Sequence, residues 1–305
     1  MTTIADINDT IPTHLLLIGQ TKSGKTKFTA EAAKAGATIL FLDADHGYAT
    51  LKRSLSDNVD AAKRVHYLKL HKPLAFMQEL IRKETLYYVP RYGTLYSNSL
   101  QLNDNDDIIR LATTKIPKEV IMVIDSWTGI AMDTIEQVAN ELSVNALTAK
   151  GNAMRPVYAN AGRITTNILK ALQYAPWNVI VLAHPELYEQ RKRPKGRGVV
   201  REEDMEIVRT VHIPLSVSKP HGYTIGKFFT DIGVLSVDRL GKSVLSYKRD
   251  SEIIAGGTLD IKGNAEEELS YVNTFGITPV NKESNSWIKT MKISEYKELR
   301  KKGEL

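Results

Sequence analysis

Short, almost continuously apolar runs punctuate the chain at residues 13–18, 38–42, 120–124 and 178–183. None shows the polar alternation of a half-exposed strand, so each predicts a strand buried on both faces of a parallel sheet. A shorter strand is expected at 65–68. Stretches of helical period lie between these runs, at 25–35, 74–83 and 155–174. Strand–helix alternation of this kind predicts an α/β fold, a central mostly parallel sheet flanked by helices. The pattern then changes. Residues 228–247 alternate around a Gly241-Lys242 turn, which predicts a C-terminal β-hairpin. Residues 87–107 are turn-rich and show no period, and the chain is polar from 259 onward, with one helical stretch at 293–302. The expected organisation is one core over 1–258 and a small polar appendage over 259–305. Residues 85–118 and the tail receive no role.

Composition narrows the classes. With 305 residues, 42% apolar and 25% charged, the chain can bury a sizeable core. Lys plus Arg is 41 against 35 for Asp plus Glu, a net charge of +6. That mild basic bias suits nucleic acid without requiring it. Cysteine is absent, which excludes disulfides, thiolate nucleophiles and cysteine-held metal clusters, and fits a reducing compartment. No apolar run reaches the length of a membrane span and the first residues lack a signal-peptide core. The expectation is a cytoplasmic protein without a membrane partner.

The chemistry begins at Gly19-Gln20-Thr21-Lys22-Ser23-Gly24-Lys25-Thr26, which fits G-x-x-x-x-G-K-[ST] without a mismatch. It follows a predicted strand and opens a predicted helix, the context this phosphate loop requires. Glycines let backbone N–H groups curl around phosphate oxygens, and the helix N-terminus adds partial positive charge. Lys25 is expected to reach the β and γ phosphates and Thr26 to hold Mg²⁺. Residues 19–26 with Lys27 form the expected ATP-binding segment. Asp125 ends the run 120–124 in the Walker B manner, which positions Mg²⁺ through a carboxylate. By itself that pattern also describes any buried strand ending in Asp at a turn.

Further segments carry a resemblance. Phe41-Leu42-Asp43-Ala44-Asp45-His46-Gly47 resembles the RecA-family segment Phe-Ile-Asp-Ala-Glu-His-Ala, and Val123-Ile124-Asp125-Ser126 resembles the family's Walker B strand. Residues 179–185 stand where RecA proteins have a strand ending in a sensor Gln. Gly226-Lys227-Phe228-Phe229-Thr230-Asp231, Ser236-Val237-Asp238-Arg239 and Tyr247-Lys248-Arg249 resemble the stretch beyond it. The likeness spans about residues 11–255. It implies a RecA-like P-loop NTPase fold, similar in compact size to phage-encoded short RecA-like ATPases of recombination and single-strand annealing.

The resemblance assigns roles residue by residue. The family's catalytic glutamate maps to Asp45, one methylene shorter, which implies slow hydrolysis. The alternative reading of Asp45 is the N-cap of a helix starting near Gly47. His184 replaces the sensor Gln. Lys248 and Arg249 match a basic pair that acts across a subunit interface, where positive charge neutralises the transferring phosphoryl group. The run Arg191-Lys192-Arg193-Pro194-Lys195-Gly196-Arg197 falls where the family has its second DNA-binding loop. Arg191, Lys192, Arg193, Lys195 and Arg197 are thus the expected DNA contacts, with Tyr188 and Tyr223 as stacking partners. Charge runs are more commonly plain solvated loops. Lys150-Gly151-Asn152 and Arg155 stand where a first DNA loop would be.

The implied partners are single-stranded DNA, further copies of the chain in a ring or filament, and a single-strand-binding protein. The implied activity is a single-stranded-DNA-dependent ATPase. The alternatives are a nucleotide-switched DNA- or protein-binding regulator with little turnover, and a hexameric helicase core.

Overall fold

The structure, a computed structural model, describes residues 12–146, 148–149, 151–192, 205–246, 256–257, 267–268 and 286–304. Six parallel strands form its centre: β1 (His14–Gly19), β2 (Ile39–Asp43), β3 (Val65–Lys69), β7 (Ile121–Asp125), β8 (Asn178–Ala183) and β11 (Asp231–Val237). Their order is β11-β1-β8-β7-β2-β3. Every residue of β1, β2 and β7 is buried. The apolar runs are therefore continuous because both faces of the sheet are covered.

Alternate residues sort to the two faces. Leu15, Leu17, Ile39, Phe41, Val123 and Ile180 pack with α1 (Lys25–Lys34), α2 (Tyr48–Ser54) and α3 (Val59–Lys63) on one side. Leu16, Ile18, Leu40, Met122, Ile124 and Val181 pack with α4 (Pro73–Leu80), α5 (Trp127–Glu141) and α6 (Arg155–Gln173) on the other. Each fully buried Leu or Ile contributes about 1.5–3 kcal/mol. The α/β class expected from the sequence is the class observed, and its strands and helices begin and end within a few residues of the predicted positions.

The hairpin is also present. β11 turns at Gly241 into antiparallel β12 (Ser243–Ser246), while β13 (Gly256–Gly257) pairs with β11 and β14 (Glu267–Glu268) with β12. Beyond β8 the chain leaves the sheet as a two-stranded ribbon. β9 (Pro185–Lys192) pairs antiparallel with β10 (Glu206–Pro214), and α7 (Lys219–Thr224) follows.

The turn-rich segment and the tail meet in a second, antiparallel sheet. β4 (Thr85–Val89), β5 (Thr94–Leu95) and β6 (Asp107–Ala112) come from the segment, and β15 (Ile288–Lys292) from the tail. Leu111 opposes Ile288 and Asp107 opposes Lys292. One face of this sheet joins the main core through Leu86, Tyr88, Leu111 and the fully buried Trp287. The other buries Val89, Ile108 and Met291 under α8 (Ile293–Lys302) through Ile293 and Tyr296. Where 259–305 reads as an appendage in sequence, its residues 286–304 are integral to this packing. Among the described residues no helix is long and apolar enough to cross a membrane.

Candidate nucleotide site

Parallel strands deliver their carboxyl ends to one edge, where open α/β sheets hold ligands. Register makes this concrete: Ile18 lies beside Ala183, Asp125 beside Leu182, and Asp43 beside Asp125. Gly19, Asp43, Asp125 and His184 therefore converge although the sequence spreads them over more than half its length.

The phosphate loop joins β1 to α1. Gly24 sits at the helix N-cap with φ 101°, a left-handed conformation that favours glycine. Lys25 is buried, and its Nζ donates to the Gly19 carbonyl at 2.6 Å and the Gln20 carbonyl at 3.0 Å. Burial pushes the Lys25 ammonium pKa down, against the attraction of Asp125 and Asp45. Ser23 Oγ is buried with no hydrogen-bond partner. Such an orphaned hydroxyl beside a cradle of N–H groups suits a phosphate oxygen.

The metal-side pair is in contact: Thr26 Oγ1 donates to Asp125 Oδ2 at 3.1 Å. Asp125 is 4% exposed. Burial foremost, then the neighbouring Asp43 charge, raises its pKa to about 7, while the Thr26 bond and Lys25 pull the other way. A divalent cation held beside it would favour the ionised carboxylate and displace the proton to water. A Cβ on Gly47 would stand 2.5 Å from Asp125 Oδ2 and 3.6 Å from Thr26 Oγ1. Glycine at 47 thus keeps open the space next to this pair. The donor set, a hydroxyl and a carboxylate, is the hard-oxygen chemistry that Mg²⁺ with a nucleotide triphosphate uses. The residues present fit both groups.

Asp43, which the sequence left without a role, organises the next segment. Its carboxylate accepts from the backbone N–H groups of Asp45 (3.1 Å), Gly47 (2.9 Å) and Tyr48 (3.2 Å), and from the Tyr67 hydroxyl (2.7 Å). Burial and that bond hold the Tyr67 phenol pKa well above its ordinary value. Asp43 performs the capping that Asp45 was an alternative for, and Gly47 is the N-cap position of α2, with no side-chain cap. The Asp45 carboxylate is left to face the site.

There it meets His184. His184 Nε2 lies 2.8 Å from Asp45 Oδ2, and Ser126 Oγ donates to the same oxygen at 3.3 Å. Ser126 is also the N-cap of α5, accepting from Gly129 N–H, a contact worth about 1 kcal/mol. The His184 backbone N–H donates to Thr128 Oγ1 at 3.1 Å, and its carbonyl accepts from Leu215 N–H at 2.7 Å. His184 is thus the hinge point between β8 and the ribbon. In the sequence Ser126 stands only within the Walker B resemblance, with no role of its own, and nothing marks Thr128. The Asp-Ser step after an apolar strand, followed by helical period, was the available signal for Ser126.

A buried polar chain supports this wall. Trp127 Nε1 donates to Ser216 Oγ at 3.0 Å, Ser216 Oγ bonds His221 Nδ1 at 2.8 Å, and His221 Nε2 reaches Thr166 Oγ1 at 3.2 Å. Burial, aided by Lys227, lowers the His221 pKa to about 4. The imidazole is neutral at physiological pH.

The basic run divides. Arg191 and Lys192 lie on strand β9, a correction to the loop expected there. Arg191 bonds Glu189 on the same strand, at 2.6 Å from its NH2 group. Arg193, Lys195 and Arg197 lie outside the described residues, as do Lys150, Lys248 and Arg249. Tyr188 and Tyr223 pack against one another, ring centroids 5.1 Å apart and 34° between planes. Arg155 opens α6, after a 3₁₀ turn at Gly151–Met154.

No curated protein matches the chain in sequence. Among solved structures the crystal structure of the RadB recombinase matches at 11% identity, over 77% of this chain and 79% of that one, with a TM-score of 0.38. The AAA domain family matches residues 11–206, from just before β1 to the start of β10. The phosphate loop, the Asp125 strand and the His184 hinge all lie inside that span, in an α/β P-loop NTPase fold with a mostly parallel central sheet. The chain belongs to the AAA domain family of P-loop ATPases.

Proposed function

We propose that this ATPase is of RecA type, that its turnover depends on single-stranded DNA, and that it acts in recombination or single-strand annealing. One observation carries the reading: the 2.8 Å contact between His184 and Asp45. It ties the carboxylate on the hydrolysis side of the loop to the residue from which the basic ribbon springs. Asp45 orients a water toward the γ phosphate, Lys25 and Thr26 hold the phosphates and the cation, and Asp125 steadies the cation. Bound Mg²⁺ supplies neutralisation of the phosphate charge.

His184 cannot serve Asp45 and a γ phosphate with the same nitrogen. Arrival of the phosphate therefore competes for Nε2, frees Asp45 and shifts the residue that anchors β9. Arg191 and Lys192 on that ribbon, with Arg193, Lys195 and Arg197 next in the sequence, meet the DNA backbone without reading bases. Arg191 exchanges its Glu189 partner for phosphate. Lys248 and Arg249 act on the site of a neighbouring copy, so assembly into a ring or filament completes it. A single-strand-binding protein is a further partner, and the host cytoplasm the setting if the gene is phage-borne.

The test is ATP hydrolysis with and without single-stranded DNA, beside Lys25→Ala. Stimulation by DNA that vanishes in Lys25→Ala supports the reading. Robust hydrolysis indifferent to DNA overturns it. The shortened Asp45 favours a second reading, a nucleotide-switched binding protein; tight ATP binding with negligible turnover under both conditions would select it.

A further inference from the structure

The sheet built from 85–112 and the tail, which the sequence left without a role, carries its own cleft. It measures about 510 Å³ and shares no residue with the phosphate loop. Tyr87, Tyr96 and Tyr296 line it, with Lys83, Asn98 and Arg300. The Tyr296 ring lies 4.9 Å from Tyr87 at 60° and 5.0 Å from Tyr96 at 61°. Rings tilted this far meet edge to face and are not stacked, so each contact covers a face of one ring of the pair only.

Tyr296, on α8, is buried against the sheet, whereas Tyr87 and Tyr96 are partly exposed. Arg300 and Lys83 are exposed, Arg300 bonding Asn98 Oδ1 at 3.4 Å and Lys83 pairing with Glu79. Lys301 and Lys302 continue the positive charge along the end of α8. The volume falls in the range of small-ligand sites. Aromatic faces accept a flat base, guanidinium and ammonium groups accept its phosphate, and Asn98 with the phenols offers hydrogen bonds.

We propose that this cleft is a second nucleotide-type site, which takes a nucleobase against its tyrosines and the attached phosphate at Arg300 and Lys83. The ligand is either one unit of a single strand or a free mononucleotide. The strand form rests on the DNA-binding reading above, and the free form does not. The site binds, and no bond is made or broken.

The experiment uses the full chain carrying Lys25→Ala, so that the phosphate loop does not contribute. Binding of labelled oligo(dT) is read by fluorescence anisotropy and binding of dTMP by calorimetry. Each is repeated with Tyr96→Ala and with Arg300→Ala added, after thermal melting shows both folded. Loss of a stacked base predicts about a 5- to 150-fold weakening in Tyr96→Ala. Weakened oligo(dT) binding in both variants, with photo-crosslinks of a bromouracil strand at Tyr87 or Tyr96, identifies the strand as ligand. Weakened dTMP binding alone identifies the mononucleotide. If neither variant changes binding of either probe while oligo(dT) still binds, the cleft is overturned and the DNA-binding reading stands. If dTMP binds the cleft and oligo(dT) binds neither this protein nor the wild type with a non-hydrolysable ATP analogue, the cleft stands and the DNA reading falls. If neither probe binds in either setting, both are overturned.

Discussion

Replacing Asp125 with Asn should stabilise the nucleotide-free protein at alkaline pH while abolishing its turnover. Asp125 is 4% exposed, and burial with the Asp43 charge raises its pKa from the ordinary 3.8 to about 7. At about 1.4 kcal/mol per unit, that shift corresponds to roughly 4 kcal/mol of native-state destabilisation when the group is ionised. The sign follows from proton binding. Between the unfolded and folded pKa values the native state holds more protons than the unfolded chain, so stability falls as pH rises from about 4 to about 7. Asn keeps an acceptor for the Thr26 hydroxyl and carries no charge. Urea unfolding should therefore show a gain for Asp125→Asn of under about 2 kcal/mol at pH 5, growing to about 4 kcal/mol at pH 8. Mg²⁺ with a nucleotide analogue should stabilise the wild-type protein and narrow the difference. A variant no more stable than wild type at pH 8, or a gain equal at both pH values, would refute the assignment of Asp125 as a charge held in place for a cation.

Other outcomes follow from the same geometry. Gly47→Ala puts a Cβ 2.5 Å from Asp125 Oδ2; crowding should lower melting stability by about 1–3 kcal/mol and weaken Mg²⁺-dependent nucleotide binding, both read by thermal melts with and without Mg²⁺–ATP. Ser216→Ala strips the Trp127 indole and His221 of their shared partner, and should lower unfolding free energy by about 1–3 kcal/mol in urea. Trp287→Ala empties a fully buried site under the second sheet; a loss of about 3–5 kcal/mol is expected in the same assay, and a loss near zero would mean that 286–304 does not belong to the core.

Much of this was legible in the residues. Strands buried on both faces announce themselves as unbroken apolar runs, and the phosphate loop identifies itself by composition and flanks. The second sheet was not legible, because β6 and β15 pair across 176 or more intervening positions and neither has a local pattern that names its partner. Asp43 and Asp45 show why site roles were harder than the fold. Both are short acids at the end of one strand. Only the turn through His46, with φ 60°, decides that Asp43 collects the N–H groups and Asp45 faces His184. The basic segment was found by charge, but charge gave no sign that Arg191 and Lys192 continue a strand. The pairing of Tyr188 with Tyr223 likewise depends on where α7 returns, which no local spacing encodes.

The central claim is that His184 links nucleotide to DNA. The direct test is single-stranded DNA affinity with and without a non-hydrolysable ATP analogue, in wild type and in His184→Ala. The account predicts that the analogue tightens DNA binding of the wild type by about 5- to 150-fold, the usual range of coupling between two sites, and leaves His184→Ala unchanged. Equal affinity in the presence and absence of the analogue in wild type, or full coupling retained in His184→Ala, would contradict it.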